Sequence, residues 1–285
     1  MNSEQDYMKL LDLLARVVEA NKGPIPGADD RLADAENLAN KFFAHAASVL
    51  YLSRGTRVEL SISPSGQLEF LDPASVDVLA RAAFEAFLVF HYIFIAPDAP
   101  KEKKYRYWAW KIAGLTERQK LPVSTEEHRQ KLAEDKKNIY KLHSKLRSNA
   151  VFQQLTGKQQ NQVLEEGKWR LLPGYKKQMS WRQIATNAGL AKILSSDMYR
   201  HLSGYAHSGS ISIRQILKSL ENKERFIIMG AAMNLITIAI ANFIRKYCDL
   251  LPRAKAALTA DTEGSEMVDM CIQIGQQLSF GDKSS

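Results

Sequence analysis

The chain has 285 residues, of which 45% are hydrophobic and 25% are charged. These values are ordinary for a folded protein, so global disorder is excluded, and a core can form without disulfides or a structural metal. The two cysteines, Cys248 and Cys271, have neither paired nor metal-ligand spacing, which argues against a secreted disulfide scaffold and a zinc module. The polar, acidic start lacks the segments of a signal peptide, so a cytoplasmic protein is expected.

The net charge of +8 has one main source. Between Lys101 and Asn149 there are fourteen Lys and Arg against six Asp and Glu, a surplus equal to that of the whole chain. A surplus concentrated in this way attracts polyanions, whereas on a solvated helix face it only adds solubility. Both interpretations stay open.

Hydrophobic periodicity predicts helices over 4–22 and 30–53 in the first part of the chain. Two alternating segments, 57–63 and 67–71, predict a small β-hairpin. A strongly apolar helix is predicted over 74–96, where Pro97 stops it. A basic amphipathic region follows, and Ser124-Thr125-Glu126-Glu127 offers a capping box for a helix that reaches about Asn149.

The second part of the chain has shorter predicted elements before a long helix. The pattern predicts a helix over 156–166, a loop over 169–180, and a helix that begins at Trp181 with Ser180 as its cap. Gly189 interrupts that helix, and a further one carries Tyr199 to His207. One long helix is expected over 221–250, followed by a weaker helix and a polar tail.

The stretch 226–244 contains nineteen residues without a charge, which is long enough to span a membrane. The alternative is a helix buried on all sides in a bundle, and Asn234 and Asn242 favour it because they lower the hydrophobicity. We therefore expect a core helix and no membrane attachment.

Together these elements predict an all-α helical bundle with one small β-hairpin. The expected organisation is an N-terminal helical pair at 1–56, a main helical domain at 57–250, and a C-terminal helix with a polar tail at 251–285.

Most familiar catalytic motifs are missing from the sequence. It has no Gly-rich phosphate loop, no Cys or His cluster at zinc spacing, no nucleophile elbow, and no recurring Glu-x-x-His pairs. No metal site and no cofactor are therefore predicted.

The remaining chemical candidate is the element from Arg200 to His207. Helix positions seven apart lie on nearly the same face, about 10 Å apart along the axis. An imidazole carries protons near neutral pH, and a guanidinium holds phosphate oxygens. The pair could therefore act on one phosphodiester, with a ribose 2′-hydroxyl as the nucleophile and no need for a metal.

The Arg-x₆-His spacing, with His201 directly after Arg200, resembles the signature of the HEPN superfamily of helical proteins. The resemblance implies a metal-independent endoribonuclease of toxin–antitoxin or phage-defence systems. It makes His207 the general acid or base, Arg200 the phosphate stabiliser and His201 a polar helper. It also implies a homodimer with a composite site and an antitoxin or other defence-system partner.

A second resemblance is to an uncharacterised bacterial helical family of unassigned function, and it covers roughly residues 75–240. Three features carry it: Arg81-x-x-x-Glu85 on the apolar helix, Trp181-Arg182-Gln183-Ile184-Ala185, and Tyr199-Arg200-x-Leu-Ser-x-x-x-His207-Ser208. It implies no activity.

Structural alternatives apply to each of these residues. Arg200 and His207 could simply bond other helices, which would make the chain a non-enzymatic module that binds RNA or a protein partner. Arg81 and Glu85 lie one helical turn apart, so they could pair with each other. In the functional alternative, Glu85 orients Arg200 or His207 as a supporting carboxylate.

Basic residues interleaved with aromatic residues suggest an RNA-binding surface, although the aromatics could equally pack in a core. The candidate RNA-binding residues are Lys137, Lys141, Lys145, Lys168, Arg170, Lys176, Lys177 and Arg182.

Overall fold

A computed structural model of the chain describes residues 3–23, 30–61, 66–206 and 224–278. The regular elements of the described residues are helices except for one two-stranded hairpin, so the predicted all-α fold is confirmed. They form two compact units. Unit 1 consists of Met1–Phe90 and Ala185–Ser285, and unit 2 consists of His91–Ile184. This division differs from the expected boundaries at 56 and 250, because the N-terminal helices pack in unit 1 with helices from the end of the chain.

The elements up to residue 119 follow the predicted order, apart from a π-helical turn that the sequence pattern did not predict. They are α1 (Ser3–Glu19), α2 (Asp30–Ser53), β1 (Thr56–Glu59), β2 (Gln67–Phe70), α3 (Pro73–Phe90), a π-helical turn (His91–Ile95) and α4 (Pro100–Gln119).

The remaining elements are also mostly helices. They are α5 (Glu126–Arg147), α6 (Ala150–Gln153), α7 (Gly157–Leu164), α8 (Trp181–Asn187), a second π-helical turn (Ile193–Met198), α9 (Tyr199–Ala206), α10 (Glu224–Leu250), α11 (Pro252–Thr259) and α12 (Thr262–Gln277).

Helix α3 is central to unit 1, where it packs against α2, α9 and α10. Aromatic side chains fill the space between these helices. The ring of Phe243 lies 4.5 Å from that of Phe42 and 4.5 Å from that of Phe90, and all three are fully buried. A buried Phe contributes about 1.5–3 kcal/mol relative to an exposed one, so this cluster stabilises the arrangement that also positions α9.

Two helices bear on the membrane alternative. Helix α10 is buried on nearly every face from Leu235 to Ile244, as expected for a core helix. Within the described residues, one helix is long and apolar enough to cross a membrane, namely α3 with its π-helical turn, Pro73–Ile95. Because 61% of its apolar window is buried inside the structure, and core helices pass the same test, this finding is weak evidence for a membrane span.

Local capping explains several helix boundaries. The Thr125 hydroxyl accepts a hydrogen bond from the backbone N–H of His128, so α5 is capped by Thr125 rather than by Ser124. The predicted cap of α8 forms as expected, because the Ser180 hydroxyl accepts from the N–H of Gln183 and the Gln183 side chain accepts from the N–H of Ser180. Gly189, with φ of +88°, ends that helix.

In unit 2, α4 and α5 pack against each other, and a partly buried ion pair joins them. The Arg118 guanidinium donates two hydrogen bonds, of 2.5 and 2.6 Å, to the Asp135 carboxylate, whose side chain is 2% exposed. The Tyr105 hydroxyl donates to the backbone carbonyl of Leu171 at 2.6 Å, which ties the 169–180 loop to α4.

Candidate functional site

A stripe of charged residues runs along one face of the apolar helix α3. Asp77, Arg81 and Glu85 are spaced by four residues, and this spacing places them one above the other. Helix α9 packs on α3 and brings two aromatic residues, Tyr199 and Tyr205, to the same interface. The α3–α9 interface therefore collects ionisable groups between two otherwise apolar helix faces.

At one end of the stripe, three side chains form a closed set of hydrogen bonds. The Arg81 Nε donates to Glu85 Oε1 at 2.9 Å, and its Nη2 donates to the Tyr199 hydroxyl at 3.2 Å. The Tyr199 hydroxyl donates to the same Glu85 oxygen at 2.8 Å. Burial, together with the neighbouring Glu85 carboxylate, raises the pKa of Tyr199. The expected Arg81–Glu85 pair is thus present, and it also anchors the first residue of α9.

At the other end, a buried acid faces a histidine. Asp77 is fully buried, and neither carboxylate oxygen has a hydrogen-bond partner among the described residues. Its Oδ2 lies 3.7 Å from Nε2 of His201, whose side chain is 34% exposed. The Tyr205 ring stands edge-on to the imidazole at 5.0 Å between centroids.

Burial shifts both groups of this pair towards their neutral forms. It raises the pKa of Asp77 to about 7 and lowers the pKa of His201. Burial also raises the pKa of Tyr205, and the Asp77 carboxylate adds to that effect. The pair therefore brings a carboxyl group and an imidazole, two side chains that can act as proton carriers, into one interface.

The structure tests part of the Arg200–His207 element. Arg200 is exposed on α9, directly before His201, and α9 continues through Gly204 to Ala206. His207 lies outside the described residues. Glu85 contacts Arg81 and Tyr199 through its hydrogen bonds, and Tyr199 directly precedes Arg200 in the chain.

The candidate RNA-binding residues all belong to unit 2 and fall into two classes. Six are free of ion pairs within the described part of the chain: Lys137, Lys141, Lys145, Lys176, Lys177 and Arg182. Of these, Lys145 also places its ammonium 5.8 Å from the centroid of the Trp108 ring. The other two, Lys168 and Arg170, are half-buried.

Those two residues have local partners within unit 2. Lys168 pairs with Glu166 at 2.8 Å. The Arg170 guanidinium lies 4.2 Å from the centroid of the Trp181 ring and 5.5 Å from that of Trp169, and the two indoles meet edge-on at 6.2 Å. These aromatic rings therefore pack with Arg170 and with one another.

A family model described as "Family of unknown function (DUF5677)" matches residues 58–225, which is more than half of the chain. The chain belongs to this family. The expected resemblance to an uncharacterised helical family is therefore confirmed, and the matched segment includes Asp77, Arg81, Glu85 and Arg200. No curated protein and no solved structure matches the chain with significance.

In this DUF5677 member, the sequence pattern predicted the helices of the site correctly, but it did not identify Asp77 as a candidate site residue. The available signal was its position four residues before Arg81, which makes a three-residue charged stripe on an apolar helix. Tyr199 and Tyr205 were within the candidate element, but their partners on α3 became visible only when the two helices were packed together. Within the described ranges, no group of three or more His, Cys, Asp and Glu side chains is arranged to hold a metal ion.

Proposed function

We propose that the chain is a metal-independent endoribonuclease whose site is the exposed edge of the α3–α9 interface. The Asp77–His201 pair beside the exposed Arg200 is the observation that carries the proposal. In this arrangement the buried carboxylate of Asp77 can support proton transfer by the partly exposed imidazole of His201. The neighbouring guanidinium of Arg200 can bind the negative charge of a phosphate.

The proposed reaction is transfer of the phosphoryl group within the RNA chain. His201, supported by Asp77, accepts the proton of the ribose 2′-hydroxyl while the 2′-oxygen forms a bond to phosphorus. The bond from phosphorus to the 5′-oxygen breaks, and a second proton carrier protonates that oxygen. The products are a 2′,3′-cyclic phosphate and a free 5′-hydroxyl, and Arg200 stabilises the charge that builds on the phosphoryl oxygens.

The role of second proton carrier falls to His207 on its sequence spacing, as the HEPN resemblance implies. Membership in the HEPN superfamily, action as a toxin or in phage defence, and assembly into a homodimer remain parts of this hypothesis. Glu85 is placed as a positioning residue, because it holds Tyr199, the residue next to Arg200, through a hydrogen bond of 2.8 Å.

Two observations support this assignment over a purely structural one. Arg200 is exposed, whereas an arginine that joins helices would be expected to lie between them with its donors bonded. Asp77 is buried without a hydrogen bond among the described residues, and such a group costs stability, as many functional groups do.

The test is cleavage of single-stranded RNA by the purified full chain in the presence of a chelator, with the product ends identified. We expect cyclic phosphate ends, and a loss of about 100-fold or more in rate for Arg200→Ala and His201→Gln. The melting temperature of Arg200→Ala should stay unchanged because its side chain is exposed. Lys192→Ala is the matched control, since Lys192 is also exposed in unit 1. Wild-type activity in the Arg200→Ala variant would refute the proposal.

A second candidate function is RNA binding without cleavage, and the unpaired cations of α5 favour it. In this case the wild-type chain binds RNA with a strong dependence on salt and leaves it intact. The cleavage assay separates the two functions, because only the first produces cyclic phosphate ends.

A further inference from the structure

Unit 2 contains a groove of about 840 Å³ that the α3–α9 site does not use. One wall is α5, and residues of α4 and of the end of α7 complete it. Small-molecule sites in proteins commonly enclose about 300–1,000 Å³, so the groove is large enough for a ligand of more than one nucleotide.

The α5 wall presents a regular row of side chains. Lys136, Tyr140, His143 and Arg147 follow one another at spacings of three and four residues and all line the groove. Lys136 and Arg147 are eleven residues apart, which is about 16 Å along the helix axis. Between them lies Tyr140, which is 64% exposed, a large value for an aromatic residue.

The charge of this wall is uniformly positive. From Lys136 to Arg147 the sequence contains five basic residues and no acidic residue, and the structure gives none of the five an ion pair within its described part. Lys137, Lys141 and Lys145 lie on the neighbouring face of α5, so they extend the positive charge beyond the groove. On the opposite wall, Glu165 is the acidic residue among those that line the groove.

The inner part of the groove is formed by His143. It is half-buried, and its Nε2 is buried without a hydrogen-bond partner among the described residues. Burial lowers the pKa of His143, an effect that Arg147 reinforces and Glu165 opposes.

We propose that this groove binds single-stranded RNA, with an unpaired base stacked on Tyr140 and phosphates held by Lys136 and Arg147. The proposal rests on RNA as the substrate in the function proposed above. A stacked strand rises about 3.4 Å per nucleotide, so the distance between the two cations corresponds to about five stacked nucleotides. An exposed aromatic ring between cations binds unpaired bases, whereas the bases of a duplex are already stacked.

The probe is a fluorescent 12-nucleotide RNA with 2′-O-methyl groups, which removes the nucleophile and therefore separates binding from cleavage. Binding to the full chain is measured by anisotropy at several salt concentrations. Tyr140→Ala should weaken binding by about 5- to 100-fold, while Tyr140→Phe should keep it, because the ring does the stacking. Lys136→Ala and Arg147→Ala should each lower the salt dependence by about one counterion.

Tyr51→Ala is the matched control, because Tyr51 is 70% exposed on α2 in unit 1. The Tyr51→Ala variant should bind the RNA probe with the same affinity as the wild type. The proposal is overturned if Tyr140→Ala binds as tightly as the wild type, or if a duplex of the same sequence binds as tightly as the single strand. If Arg200→Ala loses cleavage but still binds the RNA probe, the proposed role of the groove in binding is supported independently of catalysis. If Tyr140→Ala loses binding but still cleaves RNA slowly, the proposed nuclease function is supported independently of the groove.

Discussion

Replacing Asp77 with asparagine should stabilise the protein at alkaline pH and change how its stability depends on pH. The carboxyl group is fully buried, and its raised pKa of about 7 means that the folded protein binds this proton more tightly than the unfolded chain, where the value is 3.8. Stability derived from Asp77 is therefore complete below about pH 4, and it is lost as the pH rises towards 7. Asparagine keeps the shape of the side chain and cannot ionise.

The magnitude follows from the two pKa values. Their difference corresponds to at most about 4 kcal/mol between acidic and alkaline solution. One neighbour reduces that value. His201 lies 3.7 Å away, and its protonated form would attract an ionised Asp77. We therefore expect a change of about 2 kcal/mol in the difference between variant and wild type across this range.

The measurement is urea unfolding of the wild type and Asp77→Asn, followed by circular dichroism, from about pH 4.5 to about pH 8.5. The variant should be the more stable protein at the alkaline end and should lose that advantage at the acidic end. Asp197→Asn is the control, because Asp197 is exposed in the same unit and its replacement should leave the pH profile unchanged. Parallel pH profiles for Asp77→Asn and the wild type would refute the argument.

Three further substitutions test the interactions within the two units. Tyr199→Phe removes the hydroxyl that hydrogen-bonds to both Glu85 and Arg81, and it should lower the free energy of unfolding in urea by about 1–2 kcal/mol. An unchanged free energy of unfolding would contradict the packing of α9 on α3. Asp135→Asn removes the charge and replaces one of the two oxygens that accept from Arg118 with an NH2 group, so it should cost about 1–2 kcal/mol, against less than about 0.5 kcal/mol for Glu134→Gln in an exposed pair. Gly275→Ala would place a methyl group 2.5 Å from Cγ2 of Ile238 and should lower the melting temperature, whereas Gly230→Ala, with nothing within 4 Å, should not.

The helices were predictable from sequence because their signals are local. Helix α2 begins at Asp30 and ends at Ser53, as its apolar periodicity predicts, and Ser180 caps α8 as its chemistry predicts. The π-helical turn at His91–Ile95 was not foreseen, since it continues the apolar pattern of α3 without a break in composition. Helix α6, of four residues, was merged into its surroundings for a similar reason.

The site was only half predictable, because its partners come from distant parts of the chain. Arg200 could be identified from its spacing to His207, and His201 from the HEPN resemblance, while Asp77 and His201 are more than a hundred residues apart in sequence and meet only through the packing of α9 on α3. The same limitation applies to Arg170, whose position among indole rings depends on the path of the 169–180 loop. The roles of Asp77, His201 and Arg170 depend on how deeply each side chain is buried, and burial cannot be determined from a single sequence.

The insertion of unit 2 between the two halves of unit 1 has a consequence for biosynthesis. Residues 91–184 are continuous and emerge from the ribosome ahead of α9 and α10, so this basic unit can fold while α3 still lacks these two helices. In such a nascent chain Asp77 would still be hydrated and would ionise like any surface aspartate. The proposed proton pair would then arise only as translation finishes, later than the groove proposed to hold the RNA.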